Sequence, residues 1–185
     1  MKKNSLRSVF TALFAALICA GSVMVIPVGP VPIVLQNAFA ILAGLLLGPI
    51  QGAGAVGLFL LAGAFGLPVF SGGRGGFAVI AGPTGGYLAG YFIGALISGF
   101  AVQKASKTER MAALPIVISA TLAGFACIYL PGILVLKKAL GLTLADAIAK
   151  GFVPFLIADA IKIAAIIPIT IKLRPIIARY LDPDA

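Results

Sequence analysis

Apolar residues run in long blocks along this chain, and short polar or Pro/Gly breaks separate them. From Ser8 to Gly73 there are 66 residues without one charge. A helix that crosses a bilayer needs about 20 predominantly apolar residues, so this stretch is too long for one crossing. Two breaks divide it, Pro27–Pro32 (PVGPVP) and Gly48–Gly52 (GPIQG). Pro and Gly end helices because one lacks an N–H and the other is conformationally loose. The pattern predicts spans over 6–26, 33–47 and 50–67. The second is short, which suits ends lying in protein or at a cavity mouth. A fourth span covers 77–102 and stops at the charged run QKASKTER. A fifth covers 111–136, with Pro131-Gly132 expected to kink or end it. After a more polar segment, Lys137–Lys150, a sixth covers 151–171. The expectation is an all-α membrane protein: one six-transmembrane-helix bundle over residues 1–185, with both termini on one side.

Composition agrees with the bilayer as solvent. The chain is 61% hydrophobic and 10% charged, where a soluble domain carries about 25% charged residues. A soluble enzyme, a disordered chain and a disulfide scaffold are excluded. The net charge is +9, but the positive residues sit in loops and tails, with no helix face or motif that reads nucleic acid. Anionic lipid headgroups are the partner this charge fits. Placing the N-terminus in the cytoplasm puts Lys2, Lys3, Arg7, Lys104, Lys107, Arg110, Lys172, Arg174 and Arg179 inside, against Arg74, Lys137, Lys138 and Lys150 outside. Such an excess favours cytoplasmic termini. The basic start followed by an apolar run also fits a signal peptide. The length of that run and Ile18 before Cys19 favour a retained span instead.

Several chemistries are absent from the residues. There is no His, so a two-His metal site and a Ser-His-Asp triad have no components. Cys19 and Cys127 lie inside apolar runs and read as small core residues. Gly72–Gly76 (GGRGG) lacks the Lys and Ser/Thr of a phosphate-binding loop. Any ATP use must therefore reside on another subunit, and no metal or cofactor is implied.

Two small-residue lines stand out. Gly82, Gly86, Gly90 and Gly94, continued by Ser98, repeat every four residues. Such a face lets two helix backbones approach closely in lipid. It suits internal packing against a neighbouring span, with an external partner as the other reading. Ala12, Ala16 and Ala20 repeat the spacing on the first span, where packing and partner binding are both open.

Asp159 and Lys162 are charges inside a predicted span. Three residues apart, they share a helix face. Charged groups within a membrane are costly and mark functional sites by default. A structural ion pair is the alternative, but apolar residues would serve packing as well or better. A proton relay is a further reading, for which one pair is a poor inventory. With span 6 entering from outside, Asp159 lies about 12 Å deep, at 1.5 Å per residue. Arg74 stands in the outer loop SGGRGG, either solvated or reaching inward. Gln36 and Asn37 near the outer end of span 2 offer amide donors and acceptors. Tyr87, Thr84, Phe39, Phe70 and Phe77 are candidates for the walls. This inventory suits a small, mostly apolar ligand with donors and an anionic group, held in an outward-opening pocket.

Four segments together resemble the BioY family: Pro30–Asn37 (PVPIVLQN), Gly66–Gly76 (GLPVFSGGRGG), Gly82–Tyr91 (GPTGGYLAGY) and Asp159–Lys162 (DAIK). The resemblance covers essentially the whole chain. It implies the biotin-binding S component of an energy-coupling factor (ECF) transporter, in the fold of such components. An S component is a prokaryotic cytoplasmic-membrane protein that captures a vitamin from outside. It hands the vitamin on with a membrane coupling subunit and ABC-type ATPases and hydrolyses nothing itself. The resemblance places the coupling contact on Ala12, Ala16 and Ala20. It implies biotin contacts from Asp159, Lys162, Arg74, Gln36 and Asn37, with Tyr87, Thr84, Phe70 and Gly73 beside them and loops 27–32 and 68–77 as lids. An S component for another vitamin, a self-sufficient secondary transporter and an assembly protein without a ligand are the rival readings.

Overall fold

A computed structural model describes residues 2–27, 29–103 and 113–181, with the side chains of residues 2–4 left out. Of the charges counted above, Lys104, Lys107 and Arg110 and the side chains of Lys2 and Lys3 lie outside the described residues. The chain begins with α1 (Lys2–Ala20), then a two-strand antiparallel ribbon, β1 (Val25–Ile26) and β2 (Ile33–Val34). Val25 faces Val34 and Ile26 faces Ile33 in its register. There follow α2 (Gln36–Leu47), α3 (Pro49–Ala64), α4 (Phe77–Ile80), α5 (Gly85–Val102) and α6 (Leu114–Leu140). The chain then forms α7 (Leu144–Gly151), a 3₁₀ turn (Val153–Phe155) and α8 (Leu156–Leu181).

Helix α2 is the centre of the bundle. Eleven of its twelve residues, all but Phe39, are buried, the signature of a helix packed on every side. Its end is set by Gly48, whose φ of 85° favours glycine, and by Pro49, which starts α3 at its first position. Twelve residues make a helix of about 18 Å, well short of the ~30 Å hydrocarbon layer. The β1–β2 ribbon leads into the head of α2, with Ile26 exposed and Val34 buried. That is where the candidate site forms.

The glycine line on α5 packs internally. A Cβ on Gly90 would stand 2.6 Å from the Cα of Ile128, and one on Gly94 would stand 2.7 Å from the carbonyl oxygen of Gly124. Both contacts are with α6, so glycine is what lets these two backbones touch. Gly82 does not belong to this face. The expected helix over 77–102 is broken into α4 and α5 at Gly82-Pro83, because proline disfavours helical backbone in the residue before it.

Other boundaries also differ from the apolar pattern. The apolar run to residue 26 is helical only to Ala20, and Val25–Ile26 enter the ribbon. Pro131 lies within α6, which continues to Leu140. Helix α8 contains Pro168 and runs ten residues past the expected end at 171, through Pro175.

Large apolar side chains face outward around the bundle, among them Val9, Leu13, Leu61, Phe100, Leu130 and Ile161. A soluble surface rarely carries so wide an apolar band; lipid covers it. Among the described residues, three helical stretches are long and apolar enough to cross a membrane: α5, α6 and Leu144–Leu181. Ser5–Ala20, α2 and α3 are apolar but shorter. Arg7 Nε donates to the carbonyl of Leu181 at 3.2 Å, which brings the start of α1 and the end of α8 to the same end of the molecule.

Candidate functional site

Where the first turn of α2 meets α8 and α6, four polar side chains form one buried cluster. Asp159 and Lys162, on one face of α8, are 5% and 8% exposed. Lys162 Nζ donates to Asp159 Oδ1 at 2.8 Å and to Asn37 Oδ1 at 3.0 Å. Asn37 Nδ2 donates to Asp159 Oδ1 at 3.1 Å. Tyr129, from α6, donates its hydroxyl to Asp159 Oδ2. Both carboxylate oxygens are thus occupied, and the two charges neutralise one another. An ammonium carries three N–H groups, of which Lys162 uses two here. Burying such a pair is costly unless every lone pair and proton is met, and this arrangement nearly meets them all.

The aromatic residues beside the cluster hold Tyr129 in place. Its ring meets Phe152 edge-on at 4.7 Å and Tyr87 edge-on at 6.2 Å. Tyr87 is fixed in turn by its hydroxyl, which donates to the Gly151 carbonyl at 2.9 Å.

Two narrow chambers lie side by side, one of them at this cluster, and share the walls Val31, Pro32, Val34, Tyr87 and Tyr91. The inner chamber ends at Asn37, Tyr129 and Lys162, with a volume of about 20 Å³. The outer chamber reaches Gln36, Phe70, Ser71, Arg74 and Thr84, with a volume of about 30 Å³. Each is about the size of one water molecule. From the segment before α2, Val31, Pro32 and Val34 line both chambers, and Val31 and Val34 are buried.

The expected site residues divide into groups. Asp159, Lys162 and Asn37 meet in the cluster. Gln36 is buried, but its Nε2 donates to the Val69 carbonyl at 2.8 Å, so it ties the 66–76 loop to α2. Arg74 is exposed and its Nε donates to the Ser71 carbonyl of its own loop at 3.0 Å. It lines the outer chamber and does not reach the cluster. Phe70 is buried edge-on against Phe59 at 5.4 Å. Gly73 lies at the exposed tip of a tight hairpin closed by paired backbone bonds between Phe70 and Arg74, and its φ of 69° suits glycine. Thr84 stands just before α5 on the outer chamber wall. Of the further wall candidates, Phe77 is exposed and Phe39 packs against the core. Ala12, Ala16 and Ala20 are all exposed, on the side of α1 away from its buried Phe14, Ala15 and Ile18.

The pattern of residues did not single out Tyr129, Tyr91 or Arg174. Tyr129 has a signal in retrospect: a phenol in an apolar run needs a partner for its hydroxyl. Arg174 looked like one more cytoplasmic charge. Instead it is buried on α8 and donates to the Leu45 carbonyl in the last turn of α2, where a cation meets the negative end of the helix dipole.

Comparison with known proteins gives consistent results. Residues 1–179 match the model of the BioY family. The biotin transporter BioY of Thermotoga maritima is 38% identical over 162 residues, 88% of this chain and 92% of that protein. A probable biotin transporter BioY of Pyrococcus horikoshii is 37% identical, over 88% of this chain and 93% of that protein. Among solved structures, the S-component for biotin from an ECF-type ABC transporter aligns with a TM-score of 0.81 at 33% identity. That alignment covers 91% of this chain and 90% of the other.

Proposed function

Because the chain belongs to the BioY family, we propose that it is the biotin-binding S component of an ECF-type transporter, a capture protein and not an enzyme. The observation that carries this reading is the buried Asn37–Tyr129–Asp159–Lys162 cluster at the head of the short helix α2. The ureido group of biotin has two N–H donors and one carbonyl acceptor. Asp159 accepts from the donors, and Lys162 or Asn37 donates to the carbonyl. With the site shut, the cluster satisfies itself. With ligand present, the ureido group replaces some of those internal bonds, so no buried charge is stranded in either state. The rings and thioether lie against Tyr87, Tyr91 and Val31. The valerate extends into the outer chamber, where its carboxylate meets Arg74. The two chambers share a wall and carry opposite polar ends, which matches a ligand polar at both ends. Gln36, Phe70, Thr84 and Gly73 shape the outer chamber and its hairpin rather than grip the ureido group.

The protein spans the prokaryotic cytoplasmic membrane six times as a single domain, with both termini in the cytoplasm. The basic residues at the ends of α1 and α8 support that side. The exposed Ala12, Ala16 and Ala20 stripe on α1 docks the coupling subunit, and ATP is bound only by that subunit's ATPase partners. No cofactor takes part.

The assignment of the two poles is tested by binding biotin and its methyl ester to the purified protein. The parent should prefer the free acid, and Arg74→Met should lose that preference while still binding the ester. An unchanged preference in Arg74→Met would contradict the placement of the carboxylate.

A further inference from the structure

Between α6 and α8 lies a groove of about 340 Å³ whose walls are apolar except for Tyr129 and Asp159. It is more than ten times the volume of either chamber of the site. On each helix the lining residues follow the i, i+3, i+4, i+7 pattern of one face, ending at Tyr129 on α6 and beginning at Leu156 on α8. Seven steps of helical rise from Leu122 to Tyr129 make the groove about 10 Å long. That length fits within one leaflet of a ~30 Å hydrocarbon layer. Two alanines, Ala126 and Ala160, keep it open, and Leu122 and Ile163 flank its deep end.

We propose that this groove binds one acyl chain of an anionic phospholipid, with the headgroup at its outer end. Volume and setting argue for the chain. The space equals roughly eleven water-sized groups at ~30 Å³ each, and α6 and α8 are helices long and apolar enough to stand in lipid. Charge argues for the headgroup. The outer end is closed by Phe152, and Lys150 lies two residues before it, exposed at the end of α7. Lys137 and Lys138 are exposed in the last turn of α6, against which α7 packs. The acid in this segment, Asp146, accepts a hydrogen bond from Thr143 at 2.6 Å at the start of α7. The α6–α7 segment beyond this end of the groove therefore carries three exposed lysines, and lysines near a membrane surface attract anionic headgroups.

The bound chain has a consequence for the site. Tyr129 lines both the groove and the inner chamber, and its hydroxyl holds Asp159. A chain seated in the groove supports the outer face of that ring. This part rests on the proposed function; the binding of lipid does not.

The test uses phosphatidylglycerol and reads lipid directly, without biotin. Native mass spectrometry of the detergent-purified protein should show one retained phosphatidylglycerol. Ala126→Phe and Ala160→Phe, which fill the groove, should each lower retention at least tenfold, while Leu130→Ala on an exposed ridge should leave it unchanged. Lys150→Glu should abolish the preference for phosphatidylglycerol over phosphatidylcholine. The chain has no Trp, so a second measurement needs no groove-filling variant. In Leu122→Trp, phosphatidylglycerol with brominated chains should quench fluorescence at a several-fold lower mole fraction than in Leu130→Trp. No retained lipid in the parent, equal retention in both filled variants, or identical quenching curves would each overturn the proposal.

Discussion

Replacing Lys162 with Met isolates the energetics of the buried cluster. The substitution keeps the length of the side chain and removes the ammonium, which bonds Asp159 Oδ1 at 2.8 Å and Asn37 Oδ1 at 3.0 Å. Asp159 is left 5% exposed with Tyr129 and Asn37 as donors but no counter-charge. Breaking a buried ion pair by removing one partner costs about 3–5 kcal/mol, because the other charge stays buried. The two remaining donors place this case near the lower end, about 3 kcal/mol. For a chain of this size that lowers the unfolding midpoint by roughly 6–12 °C. Asp159→Asn combined with Lys162→Met removes both charges and should recover most of the loss, since a neutral pair in the same space is not stranded. Thermal unfolding of the two single variants, the double variant and the parent in one detergent completes the cycle. A Lys162→Met protein as stable as the parent would refute the reasoning, and so would a double variant whose loss is the sum of the singles.

Three other substitutions address separate parts of the structure. Tyr129→Phe keeps the ring packing on Phe152 and removes one bond to a buried carboxylate. It should cost about 1.5–3 kcal/mol in thermal stability and weaken biotin binding at least tenfold in an equilibrium assay. Gly90→Ala forces a Cβ to 2.6 Å from the Cα of Ile128; overpacking of this kind costs about 1–3 kcal/mol, measured by the same unfolding assay. Ala16→Leu adds bulk on an exposed face of α1. It should leave stability and biotin binding unchanged, yet reduce co-purification with the coupling subunit.

Much of this architecture is visible in the residues because lipid imposes simple rules. The charge-free blocks and their Pro/Gly breaks mark where the chain turns, and Asp159 and Lys162 stand out because charge within an apolar block is costly. Asn37 was legible for a related reason, as an amide at the edge of such a block. What stayed hidden depends on three-dimensional direction. Arg74 and Gln36 are polar and near the right place, but each turns to a backbone carbonyl of the 66–76 loop. Tyr129 looks like any aromatic on an apolar helix until α6 is set beside α8. Arg174 reads as a terminal charge because the apolar pattern weakens after residue 171. The helix nevertheless continues, and Asp159, Lys162, Ile166, Thr170 and Arg174 are buried along it at helical spacing. The break at Gly82-Pro83 was written in the residues, but the glycine spacing across it suggested a longer helix than the proline permits.

The central claim is that the buried cluster at the head of α2 holds biotin. Equilibrium binding of labelled biotin to the purified protein in detergent, with Asp159→Asn measured beside the parent, tests it most directly. The account predicts saturable one-to-one binding by the parent and its loss in a folded Asp159→Asn protein. Absence of binding by the folded parent, or undiminished binding by Asp159→Asn, would contradict it.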